Sequence, residues 1–108
     1  MITFKRGVNL DGITKECLWC MSAVSEHFML YLDRDIVVTS VNDGRHMKGS
    51  RHYSGNAFDL RTWTTDKSGI QMDPDEKHTL AVAIINKIGI DYDVVVEKDH
   101  IHIEYDPA

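Results

Sequence analysis

The sequence predicts a small α+β domain, with an antiparallel sheet and two main helices, that spans residues 1–108 as a single unit. Three observations support this prediction: apolar residues recur at helical spacing in two stretches, a β-branched run lies between them, and apolar and polar residues alternate near the end. With 43% hydrophobic and 27% charged residues, the chain has the composition of a soluble globular domain that can bury a modest core.

The first helix is predicted from Ile13 to Leu32 and is followed by the polar residues 33–35. Apolar side chains recur along it every three to four positions, which is typical of an amphipathic helix. These side chains are Ile13, Cys17, Met21, Val24, Phe28 and Tyr31. The β-branched run 36–41 then predicts a central strand, and residues 57–61 predict a short second strand.

The second helix has strong signals at both ends. Asp73 is a suitable N-cap, Pro74 suits the first helical position and Glu76 the third, while Gly89 is a typical C-terminal residue. Its predicted apolar face consists of Leu80, Ala81, Ile84, Ile85 and Ile88. The sequence therefore predicts a helix from residue 74 to about 88.

Two further strands are predicted at Tyr92–Val96 and Ile101–Tyr105, joined by a tight hairpin turn over residues 97–100. Apolar and polar residues alternate in the last strand, so one face of it is expected to carry His100, His102 and Glu104.

Charge and the apolar distribution exclude several classes of partner. The formal net charge of −5 argues against nucleic-acid binding and gives no attraction to an anionic membrane surface. No stretch is long and apolar enough for membrane insertion, and residues 1–6 lack the features of a secretory signal. We therefore expect synthesis in the cytoplasm without a signal peptide, and a monomer.

Cys17 and Cys20 have the C-x-x-C spacing that can indicate metal or redox chemistry. A zinc ribbon would need a second pair, and a redox motif would begin a helix rather than lie inside one. The two residues are predicted to be buried or half-buried thiols.

Two segments carry the chemistry. The run Ser50–Asp59 is followed about forty residues later by Asp99–His102, and together they supply imidazoles and carboxylates. Zinc binds both ligand types, and a catalytic site typically uses three protein ligands and leaves a fourth position for water. Gly55 is expected to turn the chain so that Asp59, on the strand from Ala57, returns towards His52. A zinc hydrolase is the leading interpretation.

The pattern Ser50-x-His52-x-x-Gly55-x-Ala57-x-Asp59 resembles that of the zinc D-Ala-D-Ala carboxypeptidases and phage L-alanyl-D-glutamate endopeptidases, which share the hedgehog/DD-peptidase fold. Asp99-x-x-His102 resembles the family's second signature, an acidic residue three positions before the last ligand. The resemblance covers roughly residues 36–105. It implies one Zn²⁺ held by His52, Asp59 and His102, with Asp99 as the general base.

The resemblance also implies the reaction. A zinc-bound water, whose pKa is lowered from about 15.7 to roughly 7, would attack a peptide carbonyl of a peptidoglycan stem peptide. Asp99 would carry the proton to the leaving amine, and Arg45 or Arg51 would stabilise the oxyanion. Ser50 would contact the substrate, and an enzyme of the endolysin type would reach the cell wall only after release from the cell.

Several alternatives stay open. Glu97-x-x-His100 offers the same acid-to-histidine spacing one register earlier, so His100 competes as the third ligand. Tyr53 and Trp63 could line the substrate cleft or simply cover the core, and the polar stretch 62–72 is a candidate specificity loop.

The choice between endopeptidase and carboxypeptidase is also open. A carboxypeptidase would need a cation for the terminal carboxylate, for which Arg51 or Arg61 is available. Other candidate functions are a zinc-holding binding module without turnover, and a structural protein that has kept only the fold.

Overall fold

The chain forms a five-stranded mixed sheet with two helices packed against one face. The computed structural model describes residues 1–42, 54–63 and 69–107. In chain order the elements are β1 (Ile2–Phe4), α1 (Lys15–Tyr31), β2 (Ile36–Ser40), β3 (Ala57–Arg61), α2 (Pro74–Ile88), β4 (Tyr92–Val96) and β5 (His100–Tyr105). The α+β class and every predicted helix and strand are confirmed, with boundaries that agree to within two residues.

The strand order is β1-β2-β3-β5-β4. Strands β2 and β3, β3 and β5, and β4 and β5 pair in antiparallel fashion, whereas β1 pairs with β2 in parallel. The prediction of a purely antiparallel sheet is therefore wrong at β1. Three residues are too few to show a period-two pattern, and β1 is defined by its pairing with Ile36–Val38 rather than by its own sequence.

Both helices begin at the caps that their sequences supply. The Thr14 side chain accepts a hydrogen bond from the Cys17 amide at 3.2 Å, and the Asp73 carboxylate accepts one from the Glu76 amide at 2.9 Å. Helix α2 ends at Gly89, which has a φ of 90°.

The core lies between the helices and one face of the sheet. Its strand residues are Ile36, Val38, Phe58, Leu60, Ile101 and Ile103, and its helix residues include Cys17, Cys20, Met21, Val24, Phe28, Leu80, Ile84 and Ile88. The predicted apolar faces are wrong at two positions: Tyr31 is 72% exposed and Ile85 is 42% exposed. Tyr31 lies in the last turn of α1, where its ring contacts His27 on the helix surface rather than the sheet.

Cys17 and Cys20 are free thiols inside α1 and both are buried. Burial raises the pKa of each thiol to about 12. The prediction of buried thiols is confirmed, and at neutral pH both remain protonated and unreactive.

Gly55 connects the entrance of β3 to the start of α1. Its carbonyl accepts hydrogen bonds from the Thr14 amide at 3.0 Å and the Thr14 hydroxyl at 3.3 Å. Its φ is 76°, and a Cβ at this position would clash with the Gly12 carbonyl. The turn therefore requires glycine, and β3 begins two residues later at Ala57, as the sequence predicts.

Within the described ranges, neither helix has the length and apolar character needed to cross a bilayer.

Candidate functional site

The candidate site lies on the face of the sheet that is turned away from the helices. Asp59 on β3 and His102 on β5 are direct cross-strand partners, as are Arg61 and His100. Phe58, Leu60, Ile101 and Ile103 point into the core, so the intervening side chains point to the other face. The alternation in β5 therefore predicted correctly that His100, His102 and Glu104 share a face.

Asp59 and His102 are in direct contact. The Oδ1 atom of Asp59 lies 3.1 Å from Nδ1 of His102, and the two side chains are only 14% and 18% exposed. This pair comes from sequence positions 43 residues apart, and the antiparallel register of β3 and β5 brings it together.

The contact extends into a row of alternating carboxylates and imidazoles. The Nε2 atom of His102 lies 3.0 Å from a Glu104 oxygen. On the other side, Nε2 of His100 lies 3.9 Å from the same Asp59 oxygen, and its Nδ1 atom lies 2.8 Å from Asp99 Oδ1. We call these five residues the acid–imidazole row.

The row changes the protonation of two of its members. The hydrogen bond with Asp59 raises the pKa of His102 above its ordinary value; Glu104 adds to this effect and burial opposes it. The hydrogen bond with His100 lowers the pKa of the Asp99 carboxyl. Asp99 is therefore ionised at neutral pH, with 67% of its side chain exposed.

The backbone around Asp99 is held by three hydrogen bonds. The amide of Glu97 donates to the His100 carbonyl at 2.8 Å and closes the hairpin, as predicted. The ammonium of Lys77 on α2 donates to the Lys98 carbonyl at 2.7 Å, and the Thr62 amide donates to the Asp99 carbonyl at 3.4 Å. The turn that carries the predicted base is therefore fixed by both α2 and the end of β3.

The donor set fits a zinc ion. Zinc accepts imidazole nitrogen and carboxylate oxygen, and Asp59 and His102 present one of each. A metal-binding histidine usually donates its other ring N–H to a carboxylate, which fixes the ring and its tautomer. Glu104 occupies this position relative to His102. His100 also contacts Asp59, but at a longer distance, so the geometry favours His102 over His100 as a ligand.

The remaining predicted site residues, Arg45, Ser50, Arg51, His52 and Tyr53, lie outside the described residues, and so does the segment 64–68. The ends of the predicted specificity loop are described: Trp63 forms an isolated bridge with Gln71, and the Thr62 hydroxyl donates to the Gln71 side chain at 2.6 Å.

A cluster of acidic residues could bind a metal. Asp93, Glu104 and Asp106 each offer a carboxylate oxygen, and these oxygens lie within 4.8 Å of one another. Asp93 is exposed and the other two are half-buried. A set of oxygens alone suits a hard cation such as Ca²⁺ better than zinc.

Two residues of the site region were assigned no role from the sequence. Glu104 orients His102, and the alternation of β5 already places it on the correct face. Lys77 is 7% exposed and precedes the apolar face of α2 by one turn, at a spacing that an apolar residue would normally occupy. A lysine in such a position is a signal for a buried partner, here the Lys98 carbonyl.

Comparison of the chain with protein-family models, with curated proteins and with solved structures finds no match. The fold and the site define an α+β protein with an acid–imidazole row on the sheet face opposite its helices.

If zinc binds at Asp59 and His102, the raised pKa of His102 determines how stabilisation by zinc depends on pH. Without metal, the bonds of the protonated ring stabilise the fold below pH 6.5, the ordinary value, and this contribution is lost as the pH rises through the raised pKa. Zinc needs the unprotonated Nδ1, so its affinity falls as the pH drops below that pKa. We expect zinc to raise the melting temperature more at about pH 8 than at about pH 6. An equal increase at both values, measured by thermal unfolding, would contradict this expectation.

Proposed function

We propose that this protein is a zinc-dependent peptidase that cleaves peptidoglycan stem peptides and has the hedgehog/DD-peptidase fold. The observation that carries the proposal is the contact between Asp59 and His102, the two ligands expected from separate sequence signatures. The row also includes Asp99, the expected base. His52, which the same sequence pattern supplies seven positions before Asp59, completes the proposed ligand set.

The proposed roles follow from the contacts of each side chain. Asp59 and His102 would hold one Zn²⁺ together with His52, and Glu104 would keep the His102 ring in its orientation through Nε2. Zinc, when bound, would supply a water of lowered pKa and positive charge for the carbonyl oxygen.

Asp99 would take the proton of the attacking water on a carboxylate oxygen and pass it to the nitrogen of the departing amine. Its lowered pKa keeps the carboxylate ionised at neutral pH, the form that can accept a proton, and also makes it a weaker base. The hydrogen bonds at Lys98 and Asp99 hold the turn, while the exposed carboxylate remains accessible to substrate. Arg45 or Arg51 would stabilise the oxyanion, and Ser50 and Tyr53 would contact the peptide.

A second function is a zinc-holding peptide or cell-wall binding module without turnover. One observation favours it: the Asp99 carboxylate is bonded to His100 at 2.8 Å, an interaction that competes with its action as a base. If the protein is a peptidase, we expect it to act on the wall as a monomer after release from the cell.

Digestion of purified sacculi tests the proposal. The zinc-loaded protein is expected to release new amine groups and shortened muropeptides, and a chelator is expected to stop both. Mass spectrometry of the muropeptides identifies the bond that breaks, and therefore separates endopeptidase from carboxypeptidase. If the zinc-loaded protein never releases amine groups from sacculi, the proposed peptidase activity is contradicted and the binding module without turnover is supported.

A further inference from the structure

A basic pocket lies at the end of β3, where Arg61 contributes to its lining. It has a volume of about 450 Å³, and the side chains that line it include Lys5, Arg6, Arg34, Arg61, Asp35 and Trp63. Four of these residues are basic and one is acidic, although the chain as a whole has 17 acidic and 12 basic residues. This local excess of positive charge in a net acidic protein favours an anionic ligand.

Arg61 connects the pocket to the candidate site. It is the last residue of β3, two positions after Asp59, and it is the cross-strand partner of His100. Side chains two positions apart in a strand point to the same face, and their Cα atoms are separated by roughly 7 Å. Arg61 therefore links the lining of the pocket to the strand that carries Asp59.

The guanidinium of Arg61 is oriented but incompletely bonded. Its Cζ atom lies over the Trp63 ring, 3.9 Å from the ring centre, a cation–π contact that holds the guanidinium against the indole. Its Nε atom is buried and has no hydrogen-bond partner in the described part of the chain. A buried donor without a partner is unusual in a folded protein, and the residue that carries it is one of those that line the pocket.

We infer that this pocket binds a carboxylate of the peptide substrate, with Arg61 as the residue that recognises it. A planar carboxylate can accept two parallel hydrogen bonds from one guanidinium, and the two terminal NH₂ groups of the Arg61 guanidinium offer such a pair of donors. Lys5, Arg6 and Arg34 would add positive charge around the bound anion. The inference rests on the proposed function for the identity of the substrate, but its binding step can be measured without turnover.

Two carboxylates of a stem peptide could occupy the pocket: the terminal one of D-Ala-D-Ala and that of D-Glu after L-Ala. Each of these carboxylates is tested with a pair of synthetic peptides. One peptide carries the carboxylate, and the other carries an amide in its place. Binding is followed by Trp63 fluorescence or calorimetry, and cleavage by amine release. We expect the wild type to prefer the acid over the amide in one of the two pairs, roughly 10- to 100-fold.

The Arg61→Met variant is expected to lose this preference while its binding of the amide stays nearly unchanged. Arg61→Lys keeps the charge and should retain part of the preference, which provides a test if the methionine variant does not fold. Lys15→Met is the matched control: it removes one positive charge at an exposed position on α1 that does not line the basic pocket. It is expected to keep the full preference.

The outcomes separate this inference from the proposed function. Peptides that bind with an Arg61-dependent preference but are never cleaved would support carboxylate binding in the pocket and contradict the proposed peptidase activity. If the wild type binds and cleaves the acid and the amide equally well in both pairs, carboxylate recognition by the pocket is wrong. The proposed peptidase activity would still hold. A preference that survives in Arg61→Met, or that Lys15→Met also abolishes, overturns the inference as well.

Discussion

Replacing His102 with alanine is expected to abolish zinc binding and, with it, peptidase activity. His102 is in direct contact with Asp59 and is only 18% exposed, whereas the other imidazole beside Asp59, that of His100, lies farther from it, at 3.9 Å. Loss of an outer-shell partner typically costs about 10- to 100-fold in metal affinity, and we expect loss of a direct ligand to cost at least roughly 1,000-fold. Zinc content after purification without chelator measures the effect, with about one ion per chain expected for the wild type.

A graded series makes this prediction sharper. Asp59→Asn should reduce zinc affinity as strongly as His102→Ala, because it removes the carboxylate of the other proposed ligand that the structure describes. Glu104→Gln should reduce it by only about 10- to 100-fold, because in the proposed zinc site Glu104 would orient the His102 ring rather than bind the zinc. His78→Ala, an exposed position on α2, is the control and should leave zinc content unchanged. If both Asp59→Asn and His102→Ala retain zinc, the proposal that Asp59 and His102 bind the zinc is wrong.

Much of the fold could be predicted because local signals agree with tertiary packing. The Asp73 cap, Pro74 and Gly89 define α2 from sequence alone, and the structure uses all three. Strand β1 could not be predicted, since three residues carry no detectable period and their conformation depends on β2. The helical spacing places Tyr31 on the buried face, but Tyr31 is the last residue of α1 and is exposed, and the spacing does not reveal where burial along the helix ends.

The sequence indicated candidate site residues, but it could not show which of their side chains are in contact. Spacing patterns indicated Asp59, Asp99 and His102, and alternation in β5 placed three polar side chains on one face. Spacing could not show that one Asp59 oxygen contacts both imidazoles, because this depends on the register between β3 and β5. The hydrogen bond from Lys77 to the Lys98 carbonyl could not be predicted either, because it joins residues that are 21 positions apart.

Replacing Asp99 with asparagine is expected to remove turnover and leave zinc in place. The asparagine side chain can still accept a hydrogen bond from His100, and the turn is held by backbone contacts that do not involve the carboxylate. An amide cannot accept the proton of the attacking water, so amine release should fall by roughly 10²- to 10⁴-fold. Stem-peptide cleavage and zinc content, measured on the same preparation, give the two readouts.

Glu97→Gln is the matched control for Asp99→Asn, because it removes an exposed carboxylate from the same turn. Glu97 is also the base in the competing register, in which His100 rather than His102 would bind the metal. If Glu97→Gln stops cleavage while Asp99→Asn does not, that register is correct and the assignment of His102 is wrong. If neither variant slows cleavage, the proton moves through another group, and the acid–imidazole row has a binding role rather than a catalytic one. Loss of cleavage in Asp99→Asn alone, with zinc retained, would assign the base and distinguish the enzyme from a zinc-holding binding module of the same architecture.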